Sequence, residues 1–416
     1  MTPNNRRDLL KTLGAAATGG FFASRLGYAA NETINVGIIG SGGRAQALMR
    51  ALAKIPGARM AAVCDVWDKH LADGKALAEP SAFTTKEYRQ ILDRKDIDAV
   101  LIATPNHQHV PMMVAACEAG KDVYIEKPLT YRLEEGSVAL AAQNRYQRIV
   151  QVGQQQRSMP QFQKGYELVK SGQLGTIRKV HLTWNRNSAR GTGVYNIDPT
   201  SVDWKAWLGN ARPQPFDPYR FREWRWYWDF GGGVLADLMV HYIDVAHWYL
   251  GTDHPEKAMQ IGDKFTSPQW ETPDTAQALL HYPDVGAQIY FESTFMNARN
   301  GAMLEFMGSN ATLYLDRGRL EVIPERKRDS HNRNPGIPIV PELQMILGTG
   351  PKGADFYDQP DGELLHLSNW LECIRSRKTP ASPVEAGVSA ASAAHLGNIA
   401  LRTDSIAHWN SHAPQG

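Results

Sequence analysis

Two segments of the sequence carry side chains that could transfer a proton beside a reacting group. Lys127 lies in a Glu-Lys-Pro segment that directly follows the apolar run Asp122–Ile125. Asp237 and His241 stand four residues apart in a segment with a helical pattern. This spacing predicts one shared helix face, where the carboxylate could orient the imidazole and hold its tautomer. The pattern indicates acid–base chemistry, although a buried structural Asp–His pair has the same spacing.

Asp244 continues the same predicted face three residues beyond His241, so the helix also presents side-chain types that bind metals. No fourth ligand is evident, and we therefore predict no metal site. Lys127 could be a solvated surface lysine, but a strand end in an open α/β sheet lies beside the ligand crevice. We predict that Lys127 and Glu126 both contribute to a nucleotide site there.

A third polar segment follows another apolar strand candidate, Ala99–Ala103. The carboxyl ends of parallel strands meet at one edge of a sheet, so this segment is predicted to lie beside the same crevice. Polar groups in this position also cap the following helix, and that alternative stays open for Asn106, His107 and His109. The residues assigned here to the nucleotide site are Thr104, Pro105, Asn106 and His109.

A glycine-rich turn joins the first strand candidate, Ile34–Ile39, to the first helix, Arg44–Lys54. Such a turn lets a pyrophosphate approach the backbone, and its third small position packs the helix against the strand. The free amides at the helix start then face the phosphates. The residues assigned to this cradle are Gly40, Gly42, Gly43, Arg44 and Ala45.

Asp65 follows the second strand candidate, Met60–Cys64, at the spacing expected of a carboxylate that binds the adenosine ribose. A carboxylate there accepts hydrogen bonds from the ribose hydroxyls and repels a 2′-phosphate, which favours NAD over NADP. Arg44 is the counter-indication, because it could reach a phosphate.

The elements that must position these residues show two patterns. From Ile34 to Val152, short apolar runs alternate with helical stretches, which predicts a doubly wound parallel sheet covered on both faces. Beyond Gly153, strand candidates follow one another with turn signals and few long helices, which predicts an α+β domain with a large, mostly antiparallel sheet. We expect an α/β Rossmann domain over residues 31–152 and a substrate and oligomerisation domain over residues 153–416.

Two loop-rich segments, 195–230 and 331–362, interrupt the second pattern. The first is rich in tryptophan and arginine, and aromatic faces with nearby donors suit sugar rings. Large aromatic side chains fill domain interfaces equally well, so both interpretations stay open. The residues predicted to contact the substrate are Arg157, Asn185, Trp226, Asp237 and His241.

Composition restricts the class of protein. The 416 residues are 43% hydrophobic and 21% charged, with a formal net charge of +2. This is typical of a globular chain without a broad basic surface for nucleic acid. No apolar run after residue 30 is long enough to span a membrane. Three cysteines make no disulfide framework, and Cys64 and Cys117 are predicted to be buried.

Residues 1–30 have the zones of an export signal in the usual order. The adjacent Arg6 and Arg7 precede a mild apolar stretch, Leu13–Phe22, and small residues follow it. The arginine pair resembles the twin-arginine signal and predicts a periplasmic protein without a stable membrane span. A basic N-terminal tail is the alternative.

The glycine turn, the Glu-Lys-Pro segment and the Asp237–His241 spacing together resemble the glucose–fructose oxidoreductase, inositol dehydrogenase and rhizopine-catabolism family (Gfo/Idh/MocA). The resemblance covers essentially all of the chain after residue 30. It implies an open-faced C-terminal sheet that forms a dimer or tetramer interface. It also implies Lys127, Asp237 and His241 as the catalytic group of an NAD(P)-dependent oxidoreductase that acts on CH–OH groups of a sugar, glycoside or cyclic polyol.

Two other activities stay open within this resemblance. A glycosidase branch that uses NAD in an internal redox cycle carries a Tyr-Pro-Thr-His-type segment where this chain has residues 236–241. A non-catalytic sugar-binding protein on the same fold is the second alternative, and the intact Lys127, Asp237 and His241 argue against it. Free NAD should be scarce outside the cytoplasm, so we expect a tightly bound cofactor that is reduced and re-oxidised at one site.

Overall fold

The computed structural model describes residues 33–188, 193–327, 336–354 and 361–412, which fold around two large β-sheets. The predicted twin-arginine signal lies outside these ranges. No helix within them is long and apolar enough to cross a membrane.

The first half of the chain forms a doubly wound parallel sheet, as predicted. Its strands are β1 Ile34–Ile39, β2 Ala58–Cys64, β3 Phe83–Thr85, β4 Ala99–Ile102, β5 Asp122–Ile125 and β6 Val150–Val152. They lie in the order β3-β2-β1-β4-β5-β6, and every neighbouring pair is parallel. The strand order reverses between β1 and β4, which opens a crevice at their carboxyl ends.

Helices cover both faces of this sheet. Those in the first half are α1 Gly43–Leu52, α2 Asp68–Leu77, α3 Arg89–Leu92, α4 His109–Glu118 and α5 Glu135–Tyr146. Apolar side chains of α4 and α5 pack on one face, and α1 buries Leu48, Met49 and Leu52 against the other. Burial on both faces explains why the central strands are continuous apolar runs.

The second half forms a nine-stranded sheet. The strands that follow β6 are β7 Ile177–Trp184, β8 Lys257–Asp263, β9 Thr275–Tyr282, β10 Ala287–Thr294, β11 Ala302–Gly308, β12 Ala311–Asp316, β13 Arg319–Pro324, β14 Arg326–Lys327, β15 Ile337–Pro338, β16 Leu343–Ile346 and β17 Ala407–His408. The large sheet has the order β16-β13-β12-β11-β7-β10-β9-β8-β17, while β14 and β15 pair separately. Only the β7–β10 pair of the large sheet is parallel among the described strands, so the predicted antiparallel character is confirmed.

One face of the large sheet is covered and the other is open. The helices of this half are α6 Pro160–Lys170, α7 Trp204–Leu208, α8 Pro218–Arg222, α9 Val240–Leu250, α10 Gly362–Ser376, α11 Val384–Thr403 and α12 Trp409–His412, and a π-helical turn, Leu235–Met239, leads into α9. Apolar side chains of α9 and α11 pack on the covered face. The open face carries the exposed apolar residues Met259, Ile261, Leu279, Ile323 and Ile346.

Helix α10 returns to the first half of the molecule. Its residues Leu367, Trp370 and Leu371 are fully buried against α1 and the first sheet. The core of the first domain therefore includes residues from near the end of the chain, which no local pattern in the sequence indicates.

Six strands were not predicted from the sequence, namely β3, β13, β14, β15, β16 and β17. β3 has only three residues, β13 contains the charged pair Arg319 and Glu321, and β16 lies in the segment interpreted as a loop. Pairing with a neighbour forms such short strands where periodicity is weak. All three cysteines are buried, as expected for Cys64 and Cys117, and burial raises the pKa of the Cys117 thiol to about 12.

Candidate active site

A cavity of about 1260 Å³ lies at the carboxyl ends of the first sheet, between the two halves of the chain. Its walls include the turns after β1, β2, β4 and β5, the end of β7 and part of residues 206–225. This is the crevice where doubly wound sheets bind ligands. Gly40, Lys127, Asp237 and His241 all line it, so the residues predicted to act together share one space.

The turn after β1 has the geometry of a phosphate cradle. Gly40 has a φ of +80°, and a Cβ there would lie 2.9 Å from Thr104 Cγ2 and 3.0 Å from the Ala103 carbonyl oxygen. Glycine alone tolerates both conditions. Gly42 precedes α1, and a Cβ on Gly43 would meet no atom within 4 Å. The first amides of a helix lack partners within it, so this open space suits a pyrophosphate.

Asp65 lies at the end of β2 with its side chain on the cavity wall. Its Oδ2 accepts a hydrogen bond from the Ser41 amide at 2.7 Å, and its Oδ1 accepts one from the Trp67 amide at 2.9 Å. These amides fix the carboxylate beside the glycine turn. Its remaining lone pairs can accept hydrogen bonds from ribose hydroxyls.

The turn after β4 separates the residues predicted to contact the nucleotide. Thr104, Pro105 and Asn106 line the cavity. His109 lies beneath it instead, because its ring nitrogens are 2.7 Å from the Pro128 carbonyl oxygen and 2.9 Å from that of Thr104. The expected nucleotide contact of His109 is corrected: this side chain links two strand-end turns.

Arg44 and Ala45 begin α1 but have different surroundings. Ala45 is buried between α1 and the sheet, as expected of the third small position. Arg44 lines the cavity, yet its Nε donates to Glu126 at 2.8 Å and its Nη1 to Glu363 at 2.8 Å. The guanidinium therefore links the glycine turn, the end of β5 and α10, and its contact with a phosphate stays a prediction.

The Lys127 ammonium is held by Asp237. It donates to the Asp237 carbonyl oxygen at 2.7 Å and to Oδ1 at 2.9 Å, and Arg225 Nε donates to the same Oδ1 at 3.3 Å. Burial raises the pKa of the Asp237 carboxyl, but Lys127 and Arg225 outweigh burial and hold it well below its usual range. Asp237 is therefore an ionised group that fixes Lys127 at the cavity wall. The Lys127–Pro128 peptide bond is cis.

His241 faces the cavity from α9, with its ring stacked on Trp184 at a centroid distance of 5.1 Å. Burial, followed by the positive charge of Lys127, lowers the pKa of the imidazole well below 6.5. The ring is therefore neutral near pH 7 and can accept a proton. Its Nδ1 is buried without a hydrogen-bond partner among the described residues.

The expected orientation of His241 by Asp237 is corrected by the structure. The hydrogen bonds that Asp237 accepts from side chains come from Lys127 and Arg225 within the described ranges. Leu235–Met239 forms a π-helical turn, in which residues four apart no longer stack as they do in an α-helix. The Trp184 ring, rather than a carboxylate, supports the imidazole.

Asp244 and Arg157 form a buried pair behind the cavity. Arg157 Nε donates to Oδ2 and its Nη2 to Oδ1, each at 2.8 Å, and Asp244 is 1% exposed. Neither residue lines the cavity. The predicted substrate contact of Arg157 is therefore corrected, because a buried carboxylate takes its guanidinium.

The tryptophan- and arginine-rich segment turns one ring into the core. Trp226 is 1% exposed and stacks on Trp270 at 4.2 Å, while its Nε1 donates to Glu223 at 3.0 Å. The predicted substrate contact of Trp226 is therefore corrected. Trp224 and Arg225 line the cavity instead.

The end of β7 contributes Trp184, Asn185 and Arg186 to the cavity wall, of which only Asn185 was predicted from the sequence. Asn185 lines the cavity, as predicted, and its Nδ2 donates to the Arg299 carbonyl oxygen at 2.7 Å. Its neighbours Trp184 and Arg186 line the cavity too, and their adjacency to Asn185 was the available signal. Lys352 enters from the loop before α10, and no sequence signal pointed to it.

Two family models match this chain. One, described as an oxidoreductase family with an NAD-binding Rossmann fold, covers residues 34–154, and the GFO/IDH/MocA C-terminal domain covers residues 198–314. The scyllo-inositol 2-dehydrogenase (NAD(+)) of Bacillus subtilis strain 168 is 25% identical over 335 residues, which are 78% of this chain and 81% of that protein.

Other relatives align over shorter stretches. The uncharacterized oxidoreductase YrbE of Bacillus subtilis is 27% identical over 54% of this chain and 56% of its own length. The chain thus spans little more than half of that relative.

Among solved structures, levoglucosan dehydrogenase in complex with NADH and L-sorbose has the same fold, with a TM-score of 0.70 at 19% identity over 92% of this chain and 100% of its own. Both family models and the shared fold show that the chain belongs to the Gfo/Idh/MocA oxidoreductase family and that its first domain is an NAD-binding Rossmann domain.

Proposed function

We propose that this chain is an NAD-dependent enzyme that interconverts a hydroxyl and a carbonyl on a sugar, glycoside or cyclic polyol. The observation that carries the proposal is that Lys127, Asp237 and His241 face the same cavity as the Gly40 turn. An ammonium and a neutral imidazole beside a nucleotide cradle are the groups that such a reaction needs. The names of an inositol and a levoglucosan dehydrogenase among its relatives and structural neighbours support this substrate class.

His241 and Lys127 divide the work at the substrate oxygen. The neutral His241 ring accepts the hydroxyl proton during oxidation and returns it during reduction. Lys127 has three N–H donors and directs two hydrogen bonds to Asp237, which leaves one donor for the substrate oxygen. That hydrogen bond stabilises the negative charge that develops as the proton leaves. Asp237 is a positioning residue in this scheme.

The residues of the cradle fit a dinucleotide. The open space at Gly43 and the first amides of α1 would receive the pyrophosphate, and Asp65 would receive the ribose hydroxyls. NAD, when bound, supplies the acceptor for the hydride that leaves the substrate carbon.

A segment of the second half covers the adenosine side of this crevice. We name residues 198–230 the clamp segment. The Asp203 amide donates to the Val66 carbonyl oxygen at 2.8 Å, beside the end of β2. Gln108 Nε2, beside the end of β4, donates to the Trp207 carbonyl oxygen at 2.8 Å. We infer that a bound nucleotide leaves slowly, because these contacts must open first. A nucleotide that stays bound after it is reduced must be re-oxidised at the same site, so we also infer that one sugar is oxidised and another is reduced on the same cofactor.

Native mass spectrometry of the purified full chain tests this proposal. We expect one dinucleotide per protein, and addition of substrate should raise the absorbance of bound NADH without releasing it. A second carbonyl sugar should then restore the oxidised form. A protein that carries no nucleotide, and that releases NADH into solution with every turnover, would contradict retention.

Two further assays separate the other activities. Release of the aglycone from a chromogenic glycoside without net NADH would identify a redox-cycling glycosidase. A biological activity that survives Lys127→Met unchanged would identify a non-catalytic sugar-binding protein.

We also propose that residues 1–30 direct export through the twin-arginine pathway. The support is the order of the charged, apolar and small zones in the sequence. Replacement of Arg6 and Arg7 by lysine should keep the protein in the cytoplasmic fraction, which immunoblotting of cell fractions would measure. An unchanged periplasmic fraction would contradict the proposal.

The open face of the large sheet supports a homo-oligomer. Met259, Ile261 and Leu279 are exposed on adjacent strands, and exposed apolar clusters commonly mark interfaces. We propose a dimer or tetramer through this face. Light scattering should detect it, and Ile261→Glu should shift the mass toward the monomer. A monomer at all concentrations would contradict this assembly.

A further inference from the structure

The charge of the cavity wall is unbalanced. Among the described residues that line it, eight are lysine or arginine and four are aspartate or glutamate, although the whole chain has a net charge of only +2. The pyrophosphate of a dinucleotide carries about two negative charges and would lie at the glycine turn. Some of these cations pair with carboxylates behind the wall, as Lys86 does with Asp68, so the cations at the opposite, reacting end have to be compared with their own partners.

At the reacting end, two of the cations already have carboxylate partners. Lys127 pairs with Asp237, and Lys352 pairs with Glu321. Asp237 is shared, because Arg225 Nε also reaches its Oδ1 at 3.3 Å. One carboxylate thus serves two cations, which leaves the wall beside Lys127 with an excess of positive charge.

Arg225 is placed to receive an anion. Its guanidinium carbon lies 4.3 Å above the Trp224 ring, which holds the plane of the group, and the side chain is 36% exposed to the cavity. Its terminal nitrogens have no hydrogen-bond or ion-pair partner within the described part of the chain. A guanidinium with a free, planar pair of donors binds carboxylate or phosphate oxygens bidentately.

Arg225 lies close to Lys127, which is proposed to bind the reacting hydroxyl. Arg225 Nε and Lys127 Nζ contact the same Asp237 oxygen, at 3.3 Å and 2.9 Å. A substrate whose hydroxyl lies on Lys127 would therefore place a neighbouring part of the same molecule against Arg225. The surroundings of His241 agree with this, because burial and several cations, Lys127 first among them, lower the pKa of its ring.

We propose that the substrate is an anionic sugar or polyol, whose carboxylate or phosphate group binds Arg225 while its hydroxyl lies on Lys127 and His241. This inference rests on the proposed function, since it names the substrate class of the same site. Burial of the reacting end between the two halves of the chain would make the ion pair stronger than one in open water.

Matched sugars test the inference with the full chain and its bound nucleotide. Neutral hexoses are compared with their uronates, aldonates and 6-phosphates. Binding is followed by tryptophan fluorescence, because Trp184 and Trp224 line the cavity, and reaction by the absorbance of bound NADH in a single turnover. We expect at least one acid or phosphate to bind and react about 10–100-fold better than its neutral partner, as charged hydrogen bonds of this kind contribute. Whether the sugar acid or the sugar phosphate binds and reacts better then identifies the anionic group as a carboxylate or a phosphate.

Arg225→Gln should remove this preference. We expect the affinity for the anionic sugar to fall about 10–100-fold, with the neutral sugar changing less than about threefold. Arg89→Gln is the matched control, because it removes a cation from the opposite end of the same cavity, where Arg89 is exposed and paired with Glu87. It should leave both sugars unaffected.

The outcomes separate this inference from the proposed function. The inference about an anionic substrate would be overturned if neutral and anionic sugars bound equally, or if Arg225→Gln weakened the binding of both equally. Arg225 would then be a positioning residue for Asp237, and the proposed dehydrogenase function would still stand. Arg225-dependent binding of an anionic sugar without any reduction of the nucleotide would uphold the inference and reject the proposed function.

Discussion

Two ion pairs, Lys127–Asp237 and Arg157–Asp244, have nearly the same length but different surroundings. Lys127 Nζ lies 2.9 Å from Asp237 Oδ1, and Arg157 Nη2 lies 2.8 Å from Asp244 Oδ1. The first pair lines the cavity, with side chains that are 11% and 17% exposed. The second lies behind it, and the Asp244 side chain is 1% exposed.

The difference lies in whether each cation can still reach a ligand in the cavity. The Lys127 ammonium keeps a donor for a ligand, whereas Arg157 directs two nitrogens to one buried carboxylate. The pKa directions agree with this contrast. Burial raises the pKa of Asp244 despite Arg157, and the two cations at Asp237 lower its pKa despite burial. A cation of an ion pair can thus bind a ligand when it keeps a free donor and also lines the cavity, as Lys127 does and Arg157 does not.

The largest effect should come from breaking the buried pair. Arg157→Met leaves the Asp244 carboxyl without its partner, and we expect the free energy of unfolding to fall by about 3–5 kcal/mol. The kcat of the folded enzyme should change less than about threefold. Urea unfolding followed by fluorescence, with parallel kinetics, measures both.

Lys164→Met is the matched control, since it removes a cation of the exposed Lys164–Glu167 pair on the same stretch of chain. It should change the free energy of unfolding by less than about 0.5 kcal/mol. If Arg157→Met kept its stability but lost its activity, the comparison would be contradicted, and a substrate contact of Arg157 would be supported instead.

The next effect concerns the pair on the cavity wall. Lys127→Met removes the hydrogen bond to the substrate oxygen, and kcat should fall about 10²–10³-fold. The midpoint of urea unfolding should remain close to that of the unmodified protein, because Asp237 keeps Arg225 as a partner. Single-turnover reduction of the bound nucleotide measures the rate. A loss of stability as large as that of Arg157→Met would remove the distinction between the pairs.

Isosteric amides sharpen the contrast at a smaller scale. Asp237→Asn removes the charge that fixes Lys127, and kcat should fall about 10–100-fold with little change in stability. Asp244→Asn should instead lower stability by about 1–3 kcal/mol and spare kcat. The two variants, assayed side by side, should give opposite patterns, and similar patterns would count against separate roles.

The smallest effect is a shift in the pH profile. Burial and nearby cations hold the pKa of His241 well below 6.5, so kcat/KM should stay level from about pH 8 down to 6.5 and fall only at lower pH, where the ring takes up a proton. In Lys127→Met the loss of one cation should raise this pKa and move the acid limb upward. Arg157→Met should not move it, and an acid limb above pH 6.5 in the unmodified protein would exclude His241 as the base.

The parts of the fold that the sequence predicted are those in which neighbours along the chain are also neighbours in space. The glycine turn, Asp65 and the strand-end position of Lys127 each follow from one strand and the residues after it. Parallel strands then bring their carboxyl ends together without further information. For the same reason, the central strands could be placed within a few residues.

The substrate side of the site could be predicted only in part. The residue types at Asp237 and His241 were informative, but a π-helical turn changed their relation, and helical spacing could not show which carboxylate faces the cavity. Trp226 and Trp224 differ by two residues, yet one is in the core and the other on the wall. Lys352 depends on a contact between distant segments. Such choices are made by packing, which periodicity does not record.

The return of α10 to the first sheet has a consequence for the order in which the chain can mature. The sheet ends with β6 at Val152, but its covering residues Leu367, Trp370 and Leu371 are synthesised later, roughly 10–40 s at about 5–20 residues per second. Until then the part of the apolar face that α10 covers is exposed, although α1 already packs on the same side of the sheet. A chain that ended before α10 would lack these core residues and also Glu363, which accepts a hydrogen bond from Arg44 beside the glycine turn, so the first domain is complete only when nearly the whole chain has been synthesised.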